Sequence, residues 1–165
     1  MPEKETIQRA RQDKHEGKAP TTQAGEFIRE EMHHIREGKH GARSPKQAIA
    51  IGLSKARRAG VDLPPPKKGK ASDKTRTSAK HAYDEGQKHH PHWPAPTRSR
   101  AISGALKREG HRAASHEALS RQAKAAARKR TPQERSDAAR KGIAKRSPEE
   151  RSAAARKAAR TRMKS

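Results

Sequence analysis

Half of this chain has almost no large apolar side chain, and that limits what it can fold into. There is one Phe, one Tyr and one Trp, and many of the apolar residues, 28% of the whole, are Ala. Ordering a residue costs roughly 1–2 kcal/mol of backbone entropy, whereas burying a Leu, Ile or Phe returns about 1.5–3 kcal/mol. A single core spanning all 165 residues is therefore not available. Low hydrophobicity combined with high net charge points to disorder or to folding on a partner. At most one small folded unit is expected.

Charge divides the chain further. Residues 1–63 carry a net of +4, residues 64–96 another +4, and residues 97–165 carry +15, from 21 basic and 6 acidic side chains. Such a gradient builds a local field that attracts polyanions. Cysteine is absent, which removes disulfides and thiolate metal sites. Met1-Pro2-Glu3-Lys4-Glu5 is not the start of a secretory signal, and no run approaches the length of a membrane span. A cytoplasmic protein without a membrane partner is the expectation.

Residues 3–16 can form a short helix whose apolar face is only Ile7 and Ala10. Thr21-Thr22 are cap candidates for a helix over about 23–37, where Ala24, Phe27, Ile28, Met32 and Ile35 recur at helical spacing and Gly38 follows. Ser44-Pro45-Lys46-Gln47 then reads as cap, first-turn Pro and capping partner. The helix it starts should run to about Ala59, with Gly60 in the left-handed closing position and Val61 as its apolar contact. Residues 22–60 thus read as a helical hairpin that the helix at 3–16 or a second copy of the chain completes. Self-association through 22–60 is one expected use of it. The folded unit is expected to occupy 1–63 and to stop at Pro64-Pro65-Pro66.

Residues 64–98 look like a Pro- and His-rich linker, with a short helix from Ser72 to Gly86 and no regular structure at His89-His90-Pro91-His92-Trp93-Pro94. From 99 to 165 the chain is repetitive. RTPQERSDAARKGIAKR (130–146) and RSPEERSAAARKAARTR (146–162) align at a spacing of 16, and a degenerate copy fits with Ser115, Glu117, Ser120, Ala123, Lys124 and Arg130. Each clear unit opens with Ser/Thr-Pro-x-Glu, a helix start, and continues in Ala, Arg and Lys. On a helical wheel Ala138, Ala139, Gly142 and Ile143 oppose Arg140, Lys141 and Lys145; Ala154, Ala155, Ala158 and Ala159 oppose Arg156, Lys157 and Arg160. Helices this short are marginal alone and should gain order against phosphate.

The candidate phosphate-binding residues are Arg128, Lys129, Arg130, Arg135, Arg140, Lys141, Arg146, Arg151, Arg156, Lys157, Arg160 and Arg162. Base readout is not expected, because aromatic and Asn/Gln clusters are missing. The hairpin could be a helix-turn-helix presenting Lys46, Gln47, Lys55, Arg57 and Arg58, but its turn is longer than usual. His33-His34, His40, His81, His89-His90 and His92 raise the question of metal. The linker histidines lack a Cys or a spaced carboxylate, so no metal or other cofactor is expected. No phosphate-binding Gly loop or catalytic constellation is present, and no enzyme is expected.

The strings TQAGEFIREE (22–31), EGKHGARS (37–44) and KQAIAIGLSKARRAG (46–60) resemble a family of small basic bacterial proteins whose shared domain, over roughly residues 3–70, has no assigned function. The tail SPEERSAAARKAAR resembles the repeats of bacterial KGG-type stress-induced proteins and of histone H1-like bacterial proteins. Net charge, repetition and helix design in the tail point to nucleic-acid binding in the manner of a nucleoid-associated protein. The expectation is an all-α, largely extended and partly disordered chain that binds DNA without sequence preference. RNA or ribosome binding, and a hydrophilic stress protectant with no saturable ligand, are the alternatives.

Overall fold

The computed structural model describes residues 1–88, 95–144 and 146–163. His89, His90, His92, Trp93 and Lys145, named above, lie outside the described residues. Among the described residues the structure is all-helical: α1 Lys4–His15, α2 Pro20–Arg36, α3 Pro45–Arg58, α4 Asp73–Gly86, α5 Pro96–Lys107, a 3-10 turn at His111–Ala114, α6 His116–Arg128, α7 Pro132–Ala144 and α8 Pro148–Arg162. None of these helices is long and apolar enough to cross a membrane. The chain divides into two units, Met1–Gln122 and Ala123–Ser165.

In the N-terminal unit α2 and α3 pair antiparallel. Ala48, early in α3, shares a cluster with Met32 and Ile35, late in α2, while Ala56 sits with Ala24 and Phe27 at the other end. The crossing is close because Gly52 has no side chain: a Cβ there would lie 2.8 Å from Ile28 Cα. Small residues at the contact let a core with a single Phe reach full burial, and Phe27 and Ile35 are 0% exposed. Ser44 Oγ accepts from Gln47 N–H at the start of α3, and Gln47 Oε1 accepts from Arg43 N–H at 2.8 Å. At its end Gly60 takes φ +86°, Val61 N–H reaches Ala56 O at 3.1 Å, and the Val61 side chain enters the Phe27 cluster. α2 begins earlier than Thr21-Thr22 suggest: Pro20 occupies its first turn, where a missing N–H costs nothing.

The unit does not stop at Pro64. Arg57, 7% exposed, turns inward and donates to the carbonyls of Leu63 and Pro64 at 3.0 and 3.4 Å, holding the Pro run against α3. α4 then packs on α3 and buries Ala79 and Ala82. The segment read as linker therefore contributes a helix to the fold. Ala113 and Ala114 belong to the Met32–Ile35 cluster, and Arg36 Nε donates to Ala114 O at 3.0 Å. The loop after α2 meets the loop after α5, with Gly41 N–H to Leu106 O at 2.9 Å and Ala42 N–H to Gly110 O at 3.1 Å. A Cβ on Gly41 would lie 1.9 Å from Glu109 O. The apolar sides of α2 and α3 are thus covered within the chain by α1, α4 and residues 111–119.

In the C-terminal unit the described residues form helices joined by short connections, and none of them is buried. α6, α7 and α8 start at His116, Pro132 and Pro148, one repeat apart. Thr131 and Glu134 cap α7 reciprocally, at 2.8 and 3.1 Å, and Ser147 and Glu150 do so for α8, at 2.9 and 3.2 Å. Ser115 Oγ accepts from Ala118 N–H ahead of α6. These side-chain caps satisfy helix N–H groups locally, so helix boundaries here need no tertiary contact.

Candidate functional site

The C-terminal unit carries 15 basic and 4 acidic side chains in 43 residues. Arg128 closes α6, and Lys129 and Arg130 lie in the connection to α7. Arg135, Arg140 and Lys141 sit on α7; Arg146 precedes α8; Arg151, Arg156, Lys157, Arg160 and Arg162 sit on α8. All twelve are exposed. Among the described residues, Arg128, Lys129, Arg130, Arg140, Lys141, Arg146, Arg151, Arg156, Lys157 and Arg160 have no carboxylate within ion-pairing distance. Arg135 donates to the Arg130 carbonyl at 3.0 Å.

At 100° per residue Arg156, Lys157 and Arg160 fall within one arc of about 100°, and Arg151 and Arg162 lie on the opposite side. The five cations of α8 extend over about 17 Å of helix. Glu134, Glu149 and Glu150 stand in the first turns of α7 and α8, where the helix dipole favours them. Beyond those first turns α7 carries a single acid, Asp137, which accepts from Gln133 at 3.1 Å, and α8 carries cations alone. Ala138, Ala139 and Ile143, the side expected to be apolar, remain exposed, Ile143 at 52%. No aromatic or Asn side chain and only Gln133 lies in this unit, so little is available for stacking or base-edge contacts.

The N-terminal unit treats charge differently. Among the described residues, nine of its Lys and Arg side chains are ion-paired, among them Arg9 with Glu26 at 2.7 Å, Lys18 with Asp13 at 2.8 Å and Glu16 at 2.7 Å, Lys39 with Glu37 at 3.0 Å, and Lys80 with Asp84 at 2.6 Å. Three of the five residues named for a helix-turn-helix are engaged inside the unit. Lys55 and Arg57 face inward, and Gln47 is occupied as a cap partner.

A second group of residues comes together, among them His34 and His40, for which the sequence raised the question of metal. Lys55 Nζ lies 3.0 Å from Glu30 Oε1 and 2.7 Å from Glu31 Oε2, and both carboxylates are 1% exposed. Burial works against the Lys55 charge, but Glu31 and Glu30 outweigh it and raise the Lys55 pKa. Burial likewise opposes ionisation of Glu30; Thr6, Lys55 and the Glu3 N–H, at 3.1 Å, overcome it and leave the pKa lowered. Glu31 Oε1 lies 3.0 Å from His40 Nε2, and Glu3 Oε1 lies 2.8 Å from His34 Nε2. The sequence named His34 and His40 singly; what it did not show is that Glu31 and Lys55 stand beside them.

Residues 17–68 match a family described as Family of unknown function (DUF6496). The match takes in α2, α3 and the Pro run; the cationic helices lie outside it. No curated protein and no solved structure matches the chain.

Proposed function

We propose that this protein binds nucleic acid, DNA in the first place, by sequence-tolerant phosphate contacts from the Ala123–Ser165 unit. The observation that supports this reading is the set of exposed cations without carboxylate partners, on helices that bury no side chain of their own. Cations held by nothing else lose little when they leave water for phosphate, and binding is favoured by counterion release. A nucleoid-associated role follows from that mode of binding.

The test is fluorescence anisotropy with duplex DNA and the full chain across a salt series. With about 6–10 contacts, affinity falls roughly 10³–10⁵-fold between 50 and 200 mM salt. Replacing Arg156, Lys157 and Arg160 by Gln reduces the logarithmic salt slope by about 2–3 and leaves any sequence preference unchanged. Binding indifferent to salt, or none at 50 mM, overturns the proposal. Competition with structured RNA decides which polyanion is preferred.

A further inference from the structure

Glu31 and His34 stand one turn apart on α2, and the turn after Gly38 returns His40 to their side. One potential ligand atom from each lies within 4.8 Å of the others. An ion equidistant from three atoms at that widest separation is about 2.8 Å from each. Bonds of about 2.0–2.1 Å then require inward movements of only about 0.7 Å.

His40 defines the chemistry. Its Nδ1 lies 3.1 Å from the Gly41 carbonyl, which can only accept, so Nδ1 carries the ring hydrogen. In the neutral ring Nε2 is then a lone pair, and it faces Glu31 Oε1, another acceptor, at 3.0 Å. The two atoms are placed as neighbouring donors to one cation. The second Glu31 oxygen is engaged from the other side by the Lys55 ammonium, at 2.7 Å but off the angle of a hydrogen bond. Glu31 thus offers Oε1 alone. His34 and His40 are 12% and 15% exposed, and Glu3 Oε1, 2.8 Å from His34 Nε2, is placed to orient that ring.

Charge balance points the same way. Glu30 and Glu31 share the single cation Lys55, at 3.0 and 2.7 Å, and Lys39 is shared between Glu3 and Glu37, at 3.4 and 3.0 Å. Two buried carboxylates with one shared ammonium leave an excess of negative charge beside His34 and His40 that a cation would offset. We propose that Glu31, His34 and His40 bind a divalent transition-metal ion, with a mixed nitrogen–oxygen donor set that suits Zn²⁺. The ion ties the 39–43 loop, which carries the backbone bonds to residues 106 and 110, onto α2.

The experiment uses the full chain with His89, His90 and His92 changed to Ala, so that these histidines do not compete. The metal-stripped protein is titrated with Zn²⁺ by calorimetry and with Co²⁺ by visible absorption. One ion per chain is expected, with at least tenfold weaker affinity after Glu31→Gln or His40→Gln, and about tenfold weaker after Glu3→Gln. Zn²⁺ raises the melting temperature of the parent and not of His40→Gln, whose retained cooperative unfolding shows that it folds. Absence of binding at about 100-fold molar excess, or binding that both ligand substitutions leave unchanged, overturns the site.

Discussion

Gly25 and Gly52 both lie inside helices, and replacing each by Ala separates local propensity from tertiary fit. In a helix interior Ala is favoured over Gly by about 0.8–1 kcal/mol. A Cβ on Gly25 meets nothing within 4 Å, so Gly25→Ala should express that gain. At Gly52 the added carbon would sit 2.8 Å from Ile28 Cα and 3.0 Å from Ile28 N and Cγ1. Carbon pairs rest at about 3.5–4.0 Å, so α2 and α3 must separate by roughly 1 Å. Backbone atoms cannot rotate away as the end of a side chain can. The separation acts on both core clusters at once, since Phe27 and Met32 flank the crossing. Overpacking of this kind costs about 1–3 kcal/mol, and a radial gap of 0.5–1 Å forfeits about a quarter to a half of each contact it opens.

The net expectation is a gain of about 1 kcal/mol for Gly25→Ala and a loss of about 1–2 kcal/mol for Gly52→Ala. For a cooperative unit of this size, 1 kcal/mol moves the midpoint by about 3–6 °C. Differential scanning calorimetry is the suitable assay, because α7 and α8 contribute helical signal without a buried core and would blur a circular-dichroism melt. If Gly52→Ala stabilises as much as Gly25→Ala, the close crossing of α2 and α3 is wrong, and with it the account of how so small a core is filled.

Two further outcomes follow from the ionic and polar contacts of the N-terminal unit. Lys55→Met leaves Glu30 and Glu31 buried without their shared cation, and urea unfolding should show a loss of about 3–5 kcal/mol; Lys55→Met combined with Glu30→Gln recovers part of it. Tyr83 donates to Asp62 Oδ1 at 2.6 Å, and this bond, with burial and the charges of Asp62 and Asp84, raises the phenol pKa. A raised folded value means the contact stabilises the fold below the ordinary phenol pKa of about 10 and is lost as pH rises through the folded value. Tyr83 is the single tyrosine, so tyrosinate absorption reads it directly, and Asp62→Asn should return its midpoint toward the ordinary value.

Helix starts and stops were legible because their chemistry is local. Ser44, Thr131 and Ser147 cap the helices they precede, and Gly60 with Val61 closes α3, through bonds made within a few residues. The apolar stripe of α2 was legible for the same reason. What lay hidden was contact at long range through small side chains. Nothing in HRAAS distinguishes Ala113 and Ala114 from the Ala residues of the exposed repeats; they are buried because Gly41 lets the backbone at Glu109 approach it. α4 joins the fold through Ala79 and Ala82, again without a large side chain to announce it. The Glu31–His34–His40 cluster was hidden because polar residues read as solvent-facing when the cation that accompanies them, Lys55, comes from another helix.

The placement of carboxylates separates the helices that pack from those that stay exposed. In α2, Glu30 and Glu31 stand beyond the first turns, where N–H groups are already paired and the dipole offers no support. They must find donors elsewhere, and they draw in Lys55 from α3, His40 from the loop and the Glu3 N–H from the start of α1. Glu26 does the same with Arg9 of α1. Each unsatisfied acid inside a helix is thus a demand for tertiary structure. In α7 and α8, Glu134 and Glu150 close their own capping boxes, Glu149 lies in the first turn of α8, and Asp137 accepts from Gln133 one turn earlier on its own helix. Those acids ask nothing of other helices, so the arginines that follow are never drawn inward. Moving a carboxylate from the first turn of α8 to its centre would begin to turn that surface into an interior.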